Sequence, residues 1–200
     1  MDAQLRAALP LQIHAKTNME NIKTKEKKAF EVMKAEFGYK NTMQAPRLVK
    51  VVVSTGTGKS KDPKRNDLVV DRLTKITGQK PSLRGAKKSI ASFKVRQGDP
   101  VGVTVTMRKG RMYGFLDKLI DVAIPRMKDF RGLEPKAIDE IGNYTMGLKE
   151  HTIFTEAANE DLKDVFGLAI TVVTTAKTAK EAKAFLDVLG FPFKKNEVAK

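Results

Sequence analysis

The sequence contains no cysteine. That excludes disulfides and thiolate metal sites, and it fits a reducing compartment. Histidine is almost as scarce: there are two, His14 and His151. The first stands in an N-terminal stretch read as an extension, and no His-Glu or His-His ligand spacing surrounds the second. A hydrolase or transferase needs a base poised near neutral pH, or a metal. Glu150-His151 is a poor foundation for one, and the acidic pairs Asp139-Glu140 and Glu160-Asp161 stand in polar stretches where solvation is the simpler role. No apolar run approaches the length that crosses a bilayer, and MDAQLRAALPLQIHAKT has one short apolar patch where a secretory signal needs a longer one. No enzyme, no cofactor, no metal and no membrane partner are expected.

Acidic residues are also in deficit. There are 23 against 38 Lys and Arg, giving a formal net charge of +15 and a pI near 9.9. Such an excess favours nucleic acid as the partner. The deficit is sharpest in KPSLRGAKKSIASFKVR, residues 80–96, where Lys80, Arg84, Lys87, Lys88, Lys94 and Arg96 face no acid. Solvated helical faces mix signs, so a run of one sign interrupted by Gly, Pro and Ser points to a polyanion. With 41% hydrophobic residues the chain can still build a core.

Periodicity predicts a helix over about 24–37, packing Phe30, Met33 and Phe37 and stopped by Gly38. A polar loop, 39–47, leads to a strand over 48–53. GTGKS at 56–60 invites a phosphate-loop reading, but that motif needs glycine where Val53 stands. Its helix should also open at Lys59-Ser60, whereas Asp62 and Pro63 form the better start. A flexible basic loop is the expectation. A second helix covers 63–77, with Val69, Leu73 and Ile76 inward and Gly78 as its stop.

Residues 90–96 then alternate, with Ala91, Phe93 and Val95 on one face and Ser92, Lys94 and Arg96 on the other. Residues 101–108 alternate again, with Val101, Val103, Val105 and Met107 opposite Thr104, Thr106 and Arg108. The two are expected to form an antiparallel hairpin whose outer face, hydroxyl-bearing and cationic, meets RNA. A helix over 111–124, a basic surface loop over 125–136, a short strand or turns over 142–147 and a strand over 168–175 follow. The last helix opens with the capping box Thr178-x-x-Glu181, buries Ala182, Phe185 and Leu189, and stops at Gly190. The expected architecture is α+β: a single domain, mainly antiparallel sheet, with helices on one face and a protruding basic loop. No helix-turn-helix, zinc-finger or RNP pattern appears. Residue physics therefore ends at a basic α+β domain that binds structured RNA.

Eight segments together resemble a known family: NTMQAPR (41–47), ITGQKP (76–81), AKKSIASFKVRQG (86–98), VTMRKGRMYGFLDKLI (105–120), IPRMKDFRGL (124–133), GNYTMGLKE (142–150), TTAK (174–177) and FPFKK (191–195). In this order they are similar to bacterial large-subunit ribosomal protein five, which binds 5S rRNA in the central protuberance. The resemblance implies a non-enzymatic role in the cytoplasm, on the ribosome. Its partners would be 5S rRNA, 23S rRNA, neighbouring central-protuberance proteins, a small-subunit head protein and P-site tRNA. It implies 5S contacts at Asn41, Met43, Gln44 and Arg47. It also implies a tRNA-reaching loop, about 83–89 with its strand stems, carrying Arg84, Lys87 and Lys88, and a small-subunit side from Arg111 through Gly132. Residues 1–20 match nothing in the family and read as an extension, 21–195 as the RNA-binding domain and 196–200 as a tail. Ser54 replaces a usual Asn, and Thr155 a usual Pro.

Overall fold

Among the described residues four α-helices and five strands form, most of them where apolar periodicity changes between helical and alternating spacing. The computed structural model describes residues 21–58, 63–128, 130–158 and 164–194. The proposed extension (1–20), the tail (196–200), Lys59-Ser60, Asp62 and Glu160-Asp161 lie outside the described residues. The helices are α1 (Ile22–Phe37), α2 (Pro63–Thr77), α3 (Lys109–Lys118) and α4 (Ala179–Leu189). The strands are β1 (Leu48–Gly56), β2 (Ser82–Gly85), β3 (Pro100–Met107), β4 (Tyr144–Leu148) and β5 (Leu168–Thr174). They form one antiparallel sheet in the order β2-β3-β1-β5-β4.

Alternation along the strands divides the sheet into two faces. Val51 and Val53 of β1, Val103, Val105 and Met107 of β3, and Ile170 and Val172 of β5 are buried. The helices cover that side: Val69, Leu73 and Ile76 from α2, Ala29 and Met33 from α1, and Phe185 and Leu189 from α4 join the same core. No helix of the described residues is long and apolar enough to cross a membrane. The α+β architecture with helices on one side of an antiparallel sheet is as the sequence predicts.

Several local expectations need correction. In α1 the buried stripe is Ile22, Ala29 and Met33, while Phe30 and Phe37 lie half-buried at the margin. The third helix begins at Lys109 rather than Arg111, and its last turn, Leu119–Ala123, widens to a π-turn. There the Ile124 N–H reaches back to Leu119 O at 2.9 Å. This keeps Leu119 and Ala123 buried beside Met112 and Leu116. Segment 125–136 is not wholly a surface loop. Leu133 is buried, and its N–H donates to Pro192 O at 2.8 Å while Lys194 N–H donates to Leu133 O at 2.9 Å. The C-terminal aromatics thereby pack back, Phe191 and Phe193 meeting Tyr144 edge-on at 6.0 and 5.3 Å.

The largest correction concerns the hairpin. The partner of β3 is β2, with Ser82 opposite Thr104 and Leu83 opposite Val103; residues 90–96 form no strand. Ala91–Phe93 make one 3-10 turn, and Lys94 takes a left-handed conformation at φ 52°. That reverses the chain, so the alternation of IASFKVR has no neighbouring strand to face. Phe93, expected inward, is 71% exposed.

Candidate nucleic-acid interface

The sheet side turned away from the helices is built from small residues. Cross-strand registers set Thr106, Val52, Thr171 and Thr145 in one row, and Ser82, Thr104, Ser54, Ala169 and Gly147 in the next. Arg84, Gly102 and Gly56 end the face on the β2 side. No carboxylate belongs to these rows. Thr145 and Thr171 share a hydroxyl hydrogen bond at 3.1 Å, and the Gln79 side-chain amide donates to Thr106 O at 3.2 Å. A flat face of this kind lets another polar surface approach closely. Its hydroxyls can donate to and accept from ribose and phosphate oxygens.

At the Leu48 end of β1 sits the NTMQAPR loop. Asn41 caps a single 3-10 turn, Thr42–Gln44: its Oδ1 accepts from Met43 N–H at 3.0 Å, and Gln44 Oε1 accepts from Lys40 N–H at 2.8 Å. The two side-chain carbonyls are thus used to shape the loop, which leaves the exposed amide NH2 groups pointing outward. Arg47 is tied at the backbone, its N–H donating to Thr175 Oγ1 at 2.8 Å and its O accepting from Thr175 N–H at 2.9 Å. Met43 is 70% exposed, with its Sδ 3.0 Å from Arg47 Nη2; it does not pack in the core.

This loop is anchored through two carboxylates, one half-buried and one buried. Glu26 of α1 accepts from Leu48 N–H at 2.9 Å and from the Tyr113 hydroxyl. Burial, then the Glu26 hydrogen bond, pushes the Tyr113 phenol up to about 12. Glu181 accepts from Lys177 N–H at 2.8 Å and from the Tyr39 hydroxyl. Burial and that bond raise the Tyr39 phenol well above its ordinary value. In the capping box Thr178 Oγ1 accepts from Glu181 N–H at 3.2 Å. The glutamate reaches Lys177 rather than the cap residue's own N–H.

The basic loop lies at the opposite end. Nine residues of β1 at about 3.3 Å each separate the ends by roughly 30 Å. The loop, 86–99, is closed by Ala86 N–H to Asp99 O at 2.8 Å and Gly98 N–H to Ala86 O at 3.0 Å. Among the sequence-predicted residues, Lys87, Lys88, Ser92, Lys94 and Arg96 gather here, exposed. Arg84 flanks them on β2. Only Thr104 and Thr106 hold the predicted place on the sheet face. Arg108 caps α3 and belongs to the far end, because Met107 pairs with Val51. Sequence reading missed Ser82, Thr145 and Thr171 as members of the face. An alternating Thr in both GNYTMG and AITVVT was the available signal.

Two alternatives lose their geometry. Val53 is buried within the sheet, and Thr57 and Gly58 donate their N–H groups to Val101 O at 2.9 and 3.1 Å, so neither is offered to a phosphate. His151 is fully buried. Its ring stacks on Phe166 with centroids 3.9 Å apart, and its Nδ1 accepts from Phe166 N–H at 3.3 Å. It holds the turn after β4 against the segment that leads into β5, out of reach of any substrate. Thr155 opens a 3-10 turn, a first position that proline also fits.

Comparison with known proteins adds an independent line. The family profile described as ribosomal protein L5 matches residues 41–96, and that of the ribosomal L5P family C-terminus matches residues 100–193. The large ribosomal subunit protein uL5 of Natranaerobius thermophilus is 55% identical over 162 residues, 80% of this chain and 90% of the relative. Its counterpart from Desulfatibacillum aliphaticivorans is 52% identical over 82% of this chain and 92% of the relative. That from Methylococcus capsulatus is 51% identical over 85% and 95%.

Proposed function

The chain belongs to the large ribosomal subunit protein uL5 family, and on that premise we propose that it clamps 5S rRNA with one end and reaches tRNA with the other. As a family member it is a structural constituent of the large subunit, in company with rRNA and ribosomal proteins, and not an enzyme. It works in the cytoplasm, within the central protuberance. Asn41, Met43, Gln44 and Arg47 contact 5S rRNA from their loop, and Thr104 and Thr106 do so from the sheet, joined by Ser82 and Ser54. Lys87 and Lys88, flanked by Arg84, meet P-site tRNA. Neighbouring proteins and 23S rRNA hold other sides of the domain, 21–195, and Arg111 through Gly132 faces the small-subunit head.

The observation that carries this reading is the acid-free hydroxyl face set between two basic ends. RNA helices present 2′-hydroxyls across a wide, shallow minor groove, and a flat threonine-rich sheet can meet them without steric conflict. Charge supplies attraction, and the face supplies fit. Filter binding of 5S rRNA across salt concentrations tests it. Specific binding should weaken steeply with salt as counterions are released, and equal affinity for an unrelated RNA of the same length would overturn it. Lys87→Ala with Lys88→Ala should leave 5S binding intact and weaken P-site tRNA retention. Loss of 5S binding in that double variant would assign the loop to the other RNA.

A further inference from the structure

The tip of the basic loop holds an aromatic ring in solvent. Phe93 is 71% exposed, although rings of its size are ordinarily buried. The tip that carries it is built. Ile90 and Val95 exchange both backbone hydrogen bonds, at 3.0 and 3.3 Å. Between them the 3-10 turn ends on Lys94, whose N–H donates to Ala91 O at 3.0 Å. Lys94 holds φ at 52°, a conformation few L-residues adopt. Beneath the tip, Gln97 N–H donates to Ser89 Oγ at 2.9 Å and Arg96 N–H to Asp99 Oδ2 at 2.7 Å. Asp99 is the single acid between Lys80 and Arg111, and that bond turns its carboxylate toward backbone. The ring therefore stands on a hydrogen-bonded pedestal, in a loop that also exposes Lys87, Lys88, Lys94 and Arg96 and whose one acid, Asp99, is tied to Arg96 N–H.

We infer that Phe93 is a stacking residue: its ring lies on the exposed face of a nucleobase in structured RNA, while Lys87, Lys88 and Lys94 hold the adjoining phosphates. The inference rests on the reading that this loop reaches P-site tRNA, and it names the contact made there. Every base offers a π-face to an aromatic side chain, so stacking adds affinity without needing a sequence. A protein partner would have to bring an apolar pocket rimmed with acids.

The test is retention of deacylated tRNA in the P site of ribosomes whose large subunits carry Phe93→Ala, Phe93→Leu or Phe93→Tyr, measured across salt concentrations. Ala and Leu should each weaken retention by about 5- to 150-fold, the range for losing one stacked base, while Tyr stays within about twofold. The slope of log affinity against log salt should be unchanged in Phe93→Ala and shallower by roughly one to two in the Lys87→Ala, Lys88→Ala variant. Unfolding of the isolated chains should be nearly unaltered, since the ring takes no part in the hydrophobic core. If the lysine pair matters and Phe93→Ala does not, or if Leu serves as well as Phe, stacking is overturned and the tRNA assignment stands. If the lysine pair has no effect either, both readings fall together. Loss of 5S rRNA binding in Phe93→Ala would likewise overturn the proposal.

Discussion

The two ends of β1 handle their polar groups differently. At the Leu48 end, side chains are spent on structure: Asn41 and Gln44 cap their own turn, and Glu26 and Glu181 tie the backbone to α1, α3 and α4. At the Gly56 end, backbone pairs at Ala86, Gly98, Ile90 and Val95 do most of the holding, helped by the short side chains of Ser89 and Asp99, and the cationic side chains are exposed. Under the proposed function, the difference teaches how one sheet would serve two RNAs. A loop fixed by its own polar side chains offers a defined set of donors, which suits recognition of one RNA shape. A loop fixed by backbone and short side chains leaves its long cationic side chains loose, which suits a partner that comes and goes.

Three experiments sharpen or break this contrast. The largest effect should come from Met107→Ala, which empties the buried centre shared by both ends. A loss of about 2–5 kcal/mol in denaturant unfolding is expected, with 5S binding and tRNA retention falling together; a one-sided loss would mean that the ends fold apart. Next, Glu181→Ala strips the acceptor from Lys177 N–H and the Tyr39 hydroxyl, at a cost of about 1–3 kcal/mol. It should weaken 5S binding and spare tRNA retention, and the reverse pattern would break the contrast. The smallest effect is alkaline. Burial, aided by the Glu26 hydrogen bond at Tyr113 and the nearby Glu134 charge at Tyr144, pushes both phenols up to about 12. Raised values favour the neutral phenol in the fold. Their contribution is therefore whole below pH 10 and is lost as pH climbs from there through about 12. Tyrosinate absorbance should show midpoints near 12, and ordinary titration near 10 would contradict the anchoring of this end.

Most of the frame was legible in the chain. A run of three valines located β1, alternation located β3 and β5, glycines marked the ends of α1, α2 and α4, and the eight family segments carried the functional reading. The basic loop was legible as charge but not as shape. IASFKVR alternates as a strand does, yet seven residues of alternation carry no information about whether a neighbouring strand exists. The four-residue SLRG, which does pair, is too short to show a period. Arg108 continues the alternation of Thr104 and Thr106 yet stands past the strand, at the start of α3, because alternation fixes side and not length. The rows of the open face were out of reach, since they depend on registers between strands distant in sequence.

The burial of His151 has a consequence for the RNA partnership. Imidazole is the side chain whose charge ordinarily changes between pH 5 and 8, and the one on the described part of this chain is stacked under Phe166, away from any surface an RNA can touch. The described surface thus presents to its polyanion a pattern of charge with no histidine in it. Ionic strength is what tunes the grip of that pattern on a polyanion.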